Sequence, residues 1–395
     1  MRQPRRPSPV KVTPFAPTRR RSVALLIETS NDYARGLLQG VIQYIRAHGP
    51  WSTFLAEQGR GDTPPDWLST WKGDGIIARV ENRRIARAVI ATGLPVVDVS
   101  AANLLPGAPW VETDDAAIAR AAFDHLYERG FRSFAYCGDD RFNWSRWRCE
   151  HFRRLATAAG CPCAELGAAP AARVAAWIRG LPRPVGVMAS YDALGRQILE
   201  ACRQAGAAVP DGVAVVGVDD DELLCALSDP PLSSVAPDKR RTGYEAAALL
   251  DRMMAGEAVE ARPYLIPPLG VTTRVSSDVL AVEDEGVSAA VRFIRERACE
   301  GIDVSDVVAA VPLGRRVLEV RFKRLVGRTP HDEIDRVKVE RVKELLRETD
   351  LPLSEIARRT GYAHVEYMTV VFKKRAGTPP STYRARHGRR GRGGT

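Results

Sequence analysis

Two segments near the C-terminal end carry arginine and glutamate side chains on one face of a short helix that follows a tight turn. In the first segment, Val304 to Val311 is predicted to form a helix, Pro312-Leu313-Gly314 a turn, and Arg315 to Arg324 a second helix. The apolar residues predicted to face inward are Val317, Leu318 and Phe322. Two helices around such a turn form a helix-turn-helix, whose second helix enters the major groove of DNA.

The second segment repeats this arrangement from Leu353 to Arg384. Gly361 breaks the helical pattern where the chain must reverse, and a reading helix begins near His364. The residues predicted to share one small core are Ile356, Ala357, Tyr367, Val371 and Phe372. A helix from His331 to Glu348 between the two units measures about 27 Å, near the ~34 Å between successive major grooves on one face of DNA. We therefore expect the two units to enter adjacent grooves.

This pair of units resembles the DNA-binding domain of the AraC/XylS family of transcription regulators. The motifs that carry the resemblance are Leu313-Gly-Arg-Arg-x-Leu-x-x-x-Phe-Lys, Gly327-x-x-Pro, Glu355-Ile-Ala-x-x-x-Gly-Tyr and Phe372-Lys-Lys-x-x-Gly-x-x-Pro-x-x-Tyr-Arg. The resemblance implies base contacts from the first turns of the two reading helices, at Arg315, Arg316, Glu319, Val320, His364, Val365, Glu366 and Thr369. Arginine binds guanine through two hydrogen bonds, and glutamate accepts one from cytosine.

The chain departs from the family pattern at the start of both reading helices. The family commonly places serine at the N-cap, where this chain has Gly314 and either Ala363 or His364. The second reading helix is also unusually apolar, with Val365, Met368, Val370 and Val371. We therefore expect the second helix to dock mostly by shape and phosphate contact, and the first helix to read more of the base sequence.

The chain before this region alternates short apolar runs with amphipathic segments. The predicted strands begin at Val23, Gly75, Pro95, Ser133, Val185 and Val213. Such alternation predicts parallel sheets with helices on both faces, and its length, about 250 residues, favours two α/β lobes with a cleft between them. Ligands of such folds bind beyond the carboxyl ends of the strands. The predicted pocket is therefore formed by the loops after Ile27, Ala78, Cys137, Ala189 and Val218.

This α/β body resembles the periplasmic-sugar-binding fold used by LacI-type repressors. The likeness rests on Asp114 before a helix ending His125-Leu-x-x-x-Gly130, on Arg148-Cys-Glu-His-Phe152, on Val187-Met-Ala-Ser-Tyr-Asp192 and on Val216-Gly-Val-Asp219. An α/β body of this kind followed by an AraC-type DNA-binding domain resembles the xylose-operon activators, a branch of the AraC/XylS family. This resemblance extends from Val23 to Tyr383. The resemblance implies a two-lobed, type I periplasmic-binding-protein-like α/β domain plus an all-α C-terminal domain with two helix-turn-helix motifs.

The resemblance also implies a monosaccharide, xylose or a similar sugar, in the cleft. Sugar hydroxyls need hydrogen-bond donors and acceptors, and the apolar face of the ring needs a flat aromatic partner. The residues that match these roles are Arg148, Asp192 and Asp219, with Trp144 or Tyr33 as the aromatic ring, and Asn31 and Arg79 from the other lobe. Two alternatives stay open, because Asp220 competes with Asp219 and Asp192 suits a helix N-cap.

Charge and composition divide the chain into the same parts. The formal net charge is +10, and the basic excess lies at the two ends while the α/β body is mildly acidic. This places polyanion binding at the ends. The predicted domains are a disordered basic tail at 1–22, an effector domain at 23–280, a DNA-binding domain at 281–384 and a second disordered basic tail at 385–395. The seven cysteines show no paired zinc spacing, so we expect reduced thiols, no metal and no cofactor.

The sequence thus predicts a cytoplasmic, sugar-responsive transcription regulator. Its expected partners are double-stranded promoter DNA, a second copy of the chain and RNA polymerase. The resemblance favours an activator, but the residues do not separate it from a repressor or from a regulator that responds to another pentose or hexose. A purely architectural DNA-binding role predicts binding that no sugar changes. An enzyme is disfavoured because Gly-rich phosphate loops, Gly-x-Ser-x-Gly and His-Glu-x-x-His motifs are missing. No segment approaches the roughly 20 apolar residues that span a membrane.

Overall fold

The computed structural model describes residues 20–57, 59, 62–279 and 284–387. Most of the two predicted basic tails, residues 1–19 and 388–395, lies outside these ranges. Within them the chain forms two α/β lobes followed by a group of helices, and none of these helices has the length and apolar character needed to cross a membrane.

The strands of the described residues form two six-stranded sheets. In chain order they are β1 (Ser22–Leu26), β2 (Ser52–Leu55), β3 (Gly75–Ala78), β4 (Val96–Asp98), β5 (Trp110–Thr113), β6 (Phe134–Cys137), β7 (Cys163–Leu166), β8 (Val185–Ala189), β9 (Val213–Val218), β10 (Ser233–Ala236), β11 (Pro263–Ile266) and β12 (Gly270–Thr272). The first sheet has the order β11-β5-β4-β3-β1-β2 and is parallel throughout. The second has the order β12-β10-β9-β8-β6-β7, with β12 antiparallel to β10. The predicted two-lobed α/β fold is confirmed.

The helices flank the two sheets and then continue into a separate helical region. Those of the α/β lobes are α1 (Asp32–His48), α2 (Arg83–Ala91), α3 (Asp115–Glu128), α4 (Asn143–Ala158), α5 (Ala171–Gly180), α6 (Asp192–Gln204), α7 (Glu222–Ala226) and α8 (Lys239–Met254). Those of the helical region are α9 (Glu285–Arg297), α10 (Val304–Ala309), α11 (Arg315–Val326), α12 (Pro330–Glu348), α13 (Leu353–Arg359), α14 (Val365–Ala376) and α15 (Pro380–His387). Helix α15 thus continues three residues past the predicted domain end at 384.

The chain passes between the lobes three times, and these passages form the hinge behind the cleft. It leaves the first sheet after β5 to form α3, which packs on the second lobe. It returns after β10 to form α8, which packs on α1, and crosses again from β11 to β12. Lys239, the first residue of α8, pairs with Asp32 of the first lobe and donates to the Asp219 carbonyl of the second at 2.9 Å. Lys239 therefore links the first lobe to the second next to Asp219, which lines the cleft.

Helices α1 and α8 approach so closely that backbone meets backbone. A Cβ atom added at Gly40 would lie 2.0 Å from the Arg240 carbonyl oxygen and 2.7 Å from the Tyr244 nitrogen. One added at Gly243 would lie 2.0 Å from the Leu37 carbonyl oxygen. Backbone atoms cannot move aside as a flexible side chain can, so glycine is required at both positions.

We expect Gly40→Ala to lower the free energy of unfolding by about 1–3 kcal/mol, because the added methyl forces α1 and α8 apart. Alanine otherwise stabilises a helix interior relative to glycine, so a loss would come from packing. Gly180→Ala, at the end of α5 with no atom within 4 Å of the added Cβ, is the matched control and is expected to be neutral or stabilising. Urea unfolding measures both variants, and equal stability of the two would contradict the close-packing argument.

The helical region contains two cores, one for each helix-turn-helix. The first unit packs α10 and α11 against α9, with Leu318 and Phe322 fully buried. The second packs α13 and α14 against the C-terminal half of α12, with Met368 and Phe372 fully buried. Helix α12 joins the units and, at 19 residues, is about 28 Å long.

Two residues predicted to face these cores are exposed instead. Val317 is 44% exposed and Tyr367 is 51% exposed, so both inward predictions were wrong. In an α-helix, residues four apart share a face, and Leu318 with Phe322 fills the first core while Met368 with Phe372 fills the second. Val317 and Tyr367 each precede the first residue of such a pair, about 100° around the helix, and this offset turns them toward solvent.

Candidate ligand cleft and DNA-reading surface

A cleft of about 370 Å³ lies between the two lobes. The first lobe contributes Tyr33, Arg79 and Glu112, and the second contributes Trp144, Arg148, Tyr191 and Asp219. Five of these seven were predicted from the sequence, and Glu112 and Tyr191 were not. Arginine, carboxylate and aromatic side chains therefore converge from both lobes, at the carboxyl ends of the strands.

Arg148, on α4, is held rigidly at the second-lobe wall of the cleft. Its Nε donates to Asp115 Oδ1 at 2.7 Å, and its Nη1 donates to the Ser190 carbonyl at 2.7 Å. Although burial lowers the pKa of Arg148, Asp115 and Asp219 outweigh this and raise it above its ordinary value. Arg148 is thus a fixed positive charge, and its five N–H groups leave donors for a ligand hydroxyl.

The first-lobe wall places Arg79 against a cluster of carboxylates. Its Nη2 donates to Glu81 at 2.6 Å, and its Nη1 lies 3.6 Å from Glu28 Oε1. Burial lowers the pKa of Arg79, but Glu81 and Glu28 raise it further, so the side chain stays charged. Its Nε and Nη1 are buried without a hydrogen-bond partner. Buried donors of this kind are normally satisfied, so they are available to a polar ligand or a water molecule.

Tyr33 and Glu112 form a buried hydrogen-bonded pair beside Arg79. The Tyr33 hydroxyl donates to Glu112 Oε1 at 2.9 Å, and the Arg79 guanidinium lies 5.3 Å from the Tyr33 ring centre. Burial, followed by the charge of Asp115, raises the pKa of Glu112. Burial and Glu112 likewise raise the pKa of Tyr33. This wall therefore combines donors and acceptors, as recognition of several hydroxyl groups requires.

Aromatic rings line the second-lobe side of the cleft. Trp144 is T-shaped against Tyr191, with ring centres 5.8 Å apart, and stacks on Phe142 at 5.1 Å. The Arg148 guanidinium lies 5.0 Å from the Trp144 ring centre. These contacts fix a flat apolar surface next to the charged groups, which is the arrangement that a sugar ring uses.

The backbone at the end of β9 decides which of two adjacent aspartates faces the cleft. Asp219 has φ of 112° and Asp220 has φ of 47°, both in the region that favours glycine. The resulting turn places Asp219 in the cleft, while Asp220 pairs with Arg274 at 2.8 Å and accepts from Thr272 at 2.8 Å. Strained backbone of this kind concentrates at binding and catalytic sites.

Two predicted ligand residues lie away from the cleft lining. Asp192 is buried behind the wall, where it accepts from Ser234 Oγ at 2.6 Å and from the Asp221 backbone at 2.8 Å. Asn31 accepts from the Ala34 backbone at 2.9 Å as the N-cap of α1, and its amide contacts Glu28. The structure therefore gives both side chains local partners that organise the loops of the cleft.

No local pattern in the sequence marks Glu112 or Asp115 as a cleft residue. Both flank the passage from β5 to α3, where Asp114 is the N-cap of α3 and drew attention as a helix start. Their acidic side chains are fully or almost fully buried, at 5% and 6% exposure. A carboxylate directly after the apolar pair Trp110-Val111, followed by a second one at a helix start, is the pattern that could have identified them as buried carboxylates.

Asp98, at the end of β4 in the first lobe, makes stability depend on pH. Burial raises the pKa of Asp98 to about 7. The folded protein then binds more protons than the unfolded chain, so the free energy of unfolding falls as the pH rises from about 4 to about 7. The Val80 and Ser100 backbone N–H groups both donate to Asp98 Oδ1, at 3.2 and 3.0 Å, and the amide oxygen of asparagine can accept both.

We therefore expect Asp98→Asn to flatten this dependence. Between pH 5 and pH 8 the wild type should lose about 2–3 kcal/mol more unfolding free energy than the variant. Urea unfolding at pH 5, 6, 7 and 8 gives the comparison, and the difference between the two proteins at each pH cancels the contributions of other groups. Parallel curves for the two proteins would show that Asp98 titrates normally in the folded state.

The first reading helix, α11, exposes the predicted charged residues. Gly314 is the N-cap, as predicted, and makes no side-chain cap bond. Arg315 pairs with Glu319 at 3.1 Å on the helix surface, whereas the exposed Arg316 forms no ion pair with the described part of the chain. Val320 is 63% exposed. Arg316 is thus an exposed guanidinium on this face, and its role as a base contact stays a prediction.

The second reading helix, α14, begins after His364, which takes the N-cap position without a side-chain cap bond. Of the predicted contacts, His364 and Glu366 are exposed, and Val365 and Thr369 are half-buried. Gly361 sits in the turn with φ of 68°, and a Cβ atom there would lie 2.6 Å from the Gly301 nitrogen. The turn of the second unit therefore packs against the loop before α10, which fixes the two units relative to each other.

Comparison with known proteins decides the family. Family models match an XylR N-terminal domain at residues 22–116, a periplasmic binding protein-like domain at 123–277 and a helix-turn-helix domain at 307–386. The xylose operon regulatory protein of Escherichia coli (strain K12) is 35% identical over 384 residues, which cover 93% of this chain and 97% of that protein. The chain belongs to the family of xylose operon regulatory proteins. The Haemophilus influenzae member is 33% identical and covers 92% of this chain and 97% of its own length.

Solved structures agree with this assignment. A structure described as the xylose-binding transcription activator XylR superposes with a TM-score of 0.73 at 34% identity, covering 94% of this chain and 99% of that one. A LacI-type regulator from Alkaliphilus metalliredigens, solved with D-xylulofuranose, has a TM-score of 0.53 at 20% identity and covers 65% of this chain and 99% of its own, which supports the fold of the two lobes alone. As a xylose operon regulatory family member, the protein is a DNA-binding transcription regulator with a sugar-sensing domain, and the choice of a regulator over an enzyme is confirmed.

Proposed function

We propose that this protein is a cytoplasmic transcription activator that binds D-xylose, or a closely similar aldopentose, in the cleft between its lobes. The observation that carries the proposal is the convergence of Arg79, Arg148 and Asp219 with the Trp144 ring in one cleft. The relatives named for the xylose operon, and the solved activator described as xylose-binding, support the choice of sugar. The site residues are Tyr33, Arg79, Glu112, Trp144, Arg148, Tyr191 and Asp219.

Sugar binding would draw the two lobes together, because each lobe supplies part of the ligand shell. Arg79 belongs to the first lobe and Arg148 to the second. A ligand that contacts both stabilises the closed arrangement over the open one, and this difference in affinity is what shifts a two-state equilibrium.

The segment after β12 ties the DNA-binding region to the second lobe. Ser276 Oγ donates to the Val215 carbonyl at 2.6 Å and accepts from the Ser233 backbone at 2.8 Å. Ser277 Oγ lies 2.7 Å from His125 Nε2. These buried bonds fix the residues that lead into the helical region. A movement of the second lobe would therefore also move the DNA-binding helices.

Asp278 then forms the ionic contact between the two regions. It pairs with Arg336 of α12 at 2.9 Å, and Arg336 also pairs with the buried Glu333 at 2.8 Å. Burial raises the pKa of Asp278, but Arg336 and Arg295 outweigh it and hold the pKa below its ordinary value. A charged contact of this kind would let lobe movement reorient the helices that read DNA.

We further propose that the protein acts as a homodimer and contacts RNA polymerase at the promoter. Each protomer carries two reading units, and paired protomers would present four to a site built of repeated halves. The predicted base contacts are Arg315, Arg316, Glu319, Val320, His364, Val365, Glu366 and Thr369.

The test combines sugar binding with DNA binding. D-Xylose, L-arabinose, D-ribose and D-glucose are compared by thermal unfolding, since a ligand at 100 times its dissociation constant stabilises the fold by about 2.7 kcal/mol. Fluorescence anisotropy with a promoter DNA that the protein binds is then measured with and without each sugar. We expect D-xylose to raise the unfolding temperature most and to change promoter affinity. Stabilisation by none of the sugars, or binding that leaves promoter affinity unchanged, would overturn the proposal.

A further inference from the structure

Helix α14 exposes two apolar side chains on the face that would meet DNA. Val370 is 64% exposed and Tyr367 is 51% exposed. They are three residues apart, so they lie on one face of the helix. The core of the unit is filled without them, by Met368 and Phe372 among others. Large apolar side chains that are exposed together mark a contact surface, since the core has no use for them.

The Tyr367 ring is held in place on this face. Its ring centre lies 6.1 Å from that of the buried Tyr362, at an interplanar angle of 63°. The Lys338 ammonium lies 5.1 Å from the Tyr362 ring centre and donates to the Gly361 carbonyl at 3.0 Å. The aromatic surface is therefore ordered before DNA arrives, which lowers the entropic cost of a contact.

Positive charge flanks the apolar pair. Lys373 and Lys374 are exposed in the last turn of α14, one turn beyond Val370. Arg375 pairs with Asp332 at 3.1 Å, whereas neither lysine forms an ion pair with a described residue. Lysines suit phosphate contacts, which position a helix on DNA without reading its sequence. If the two lysines contact phosphates, the apolar face of α14 lies against the base-pair edges in the major groove between them.

The two reading helices differ in the chemistry that they present. Helix α11 offers Arg316 and Glu319, which recognise bases by hydrogen bonds. Helix α11 also exposes Val317 and Val320, whereas the exposed apolar pair of α14, Tyr367 and Val370, includes an aromatic ring. In the major groove, the base feature that an apolar side chain recognises is the 5-methyl group of thymine.

The geometry points to a thymine-methyl reading site on α14, with Val370 and the Tyr367 ring packed on 5-methyl groups. The second unit would then contribute base specificity of its own, by apolar contact, and would select thymine at one or two positions of each half-site. The inference extends the DNA binding of this family to a specificity determinant, and it is independent of which sugar binds the cleft.

Replacement of thymine by deoxyuridine tests the inference, because it removes the 5-methyl group and keeps every hydrogen-bonding group. Footprinting first defines the promoter segment under the second unit, and each thymine there is then replaced singly in a labelled duplex. Loss of one buried methyl group is expected to weaken binding of the full-length protein about three- to tenfold at one or two positions. Replacement of thymines that lie outside both footprints is expected to change affinity less than twofold.

Val370→Ala supplies the second arm of the test. In this variant the thymine that mattered to the wild type should matter less than twofold, since the side chain that contacts the methyl group is gone. Leu227→Ala, which truncates a side chain of equal exposure on the second lobe, is the matched control and should keep the full wild-type response. The inference is overturned if no thymine under the second unit responds, or if Val370→Ala and Tyr367→Ala both respond as the wild type does. If the protein still binds the promoter in those cases, the thymine-methyl site is ruled out but DNA binding itself is not.

Discussion

Arg148→Met is expected to abolish the response to sugar while leaving promoter binding intact. Arg148 is buried at the second-lobe wall, oriented by Asp115 and the Ser190 carbonyl, and is positioned to donate charge-assisted hydrogen bonds to ligand hydroxyls. Loss of such a bond costs about 1.5–3 kcal/mol, so affinity for the sugar should fall at least about tenfold for each bond lost. Isothermal titration calorimetry measures this affinity, and anisotropy measures promoter binding.

Removal of Arg148 also leaves the Asp115 carboxylate buried without its partner, which destabilises a protein by about 3–5 kcal/mol. The double variant Asp115→Asn/Arg148→Met removes both charges and separates stability from binding. It should recover most of the lost unfolding free energy and still fail to bind sugar. Arg153→Met, on the exposed side of the same helix, is the control and should bind as the wild type does. If the stable double variant binds sugar with wild-type affinity, Arg148 is not a sugar-binding residue.

Arg316→Ala is expected to have the largest effect of any single change on sequence recognition. The exposed guanidinium lies in the first turn of α11, where it has no ion-pair partner in the described ranges of the chain, and arginine reads guanine by two hydrogen bonds. Specific binding should weaken by about 1–3 kcal/mol, and discrimination should relax at one base position. Competition binding against a set of single-base promoter variants measures both effects.

Arg324→Ala separates base reading from phosphate contact. Arg324 lies in the last turn of the same helix, away from its N-terminal reading end. Its removal should weaken specific and random DNA by similar factors and reduce the salt dependence of binding. Equal losses for Arg316→Ala on promoter and random DNA would instead assign Arg316 to the phosphate backbone.

Local patterns in the sequence were sufficient for the architecture and the family. The six predicted strands correspond to β1, β3, β4, β6, β8 and β9, because each is an apolar run buried on both faces of a parallel sheet. Strands β2 and β7 lie at sheet edges and have mixed, partly exposed sequences, so no apolar run marked them. The two reading units were predicted because their turns, caps and core positions are separated by only a few residues.

The candidate cleft was predicted less completely, because its residues are distant in sequence. Tyr33 and Glu112 are 79 residues apart, and their hydrogen bond exists only because β5 and α1 meet at one end of the first sheet. Arg148 stood out by its family motif, whereas its partner Asp115 had no local signal. Burial raises the pKa of such a carboxylate and limits it to nearby partners. Because burial depends on how the lobes pack, the local sequence does not reveal it.

The sequence by itself determined the order of the elements, the paired helix-turn-helix units and most of the residue types that line the cleft. Those features depend on interactions within a few turns of chain, which composition and spacing record. Only the tertiary structure decided that Asp219 faces the cleft while Asp220 turns to Arg274, that Asp192 is committed to Ser234, and that Tyr367 is exposed. Each of these outcomes depends on a backbone angle or on a neighbour from a distant segment, and adjacent identical residues carry no local signal to separate them.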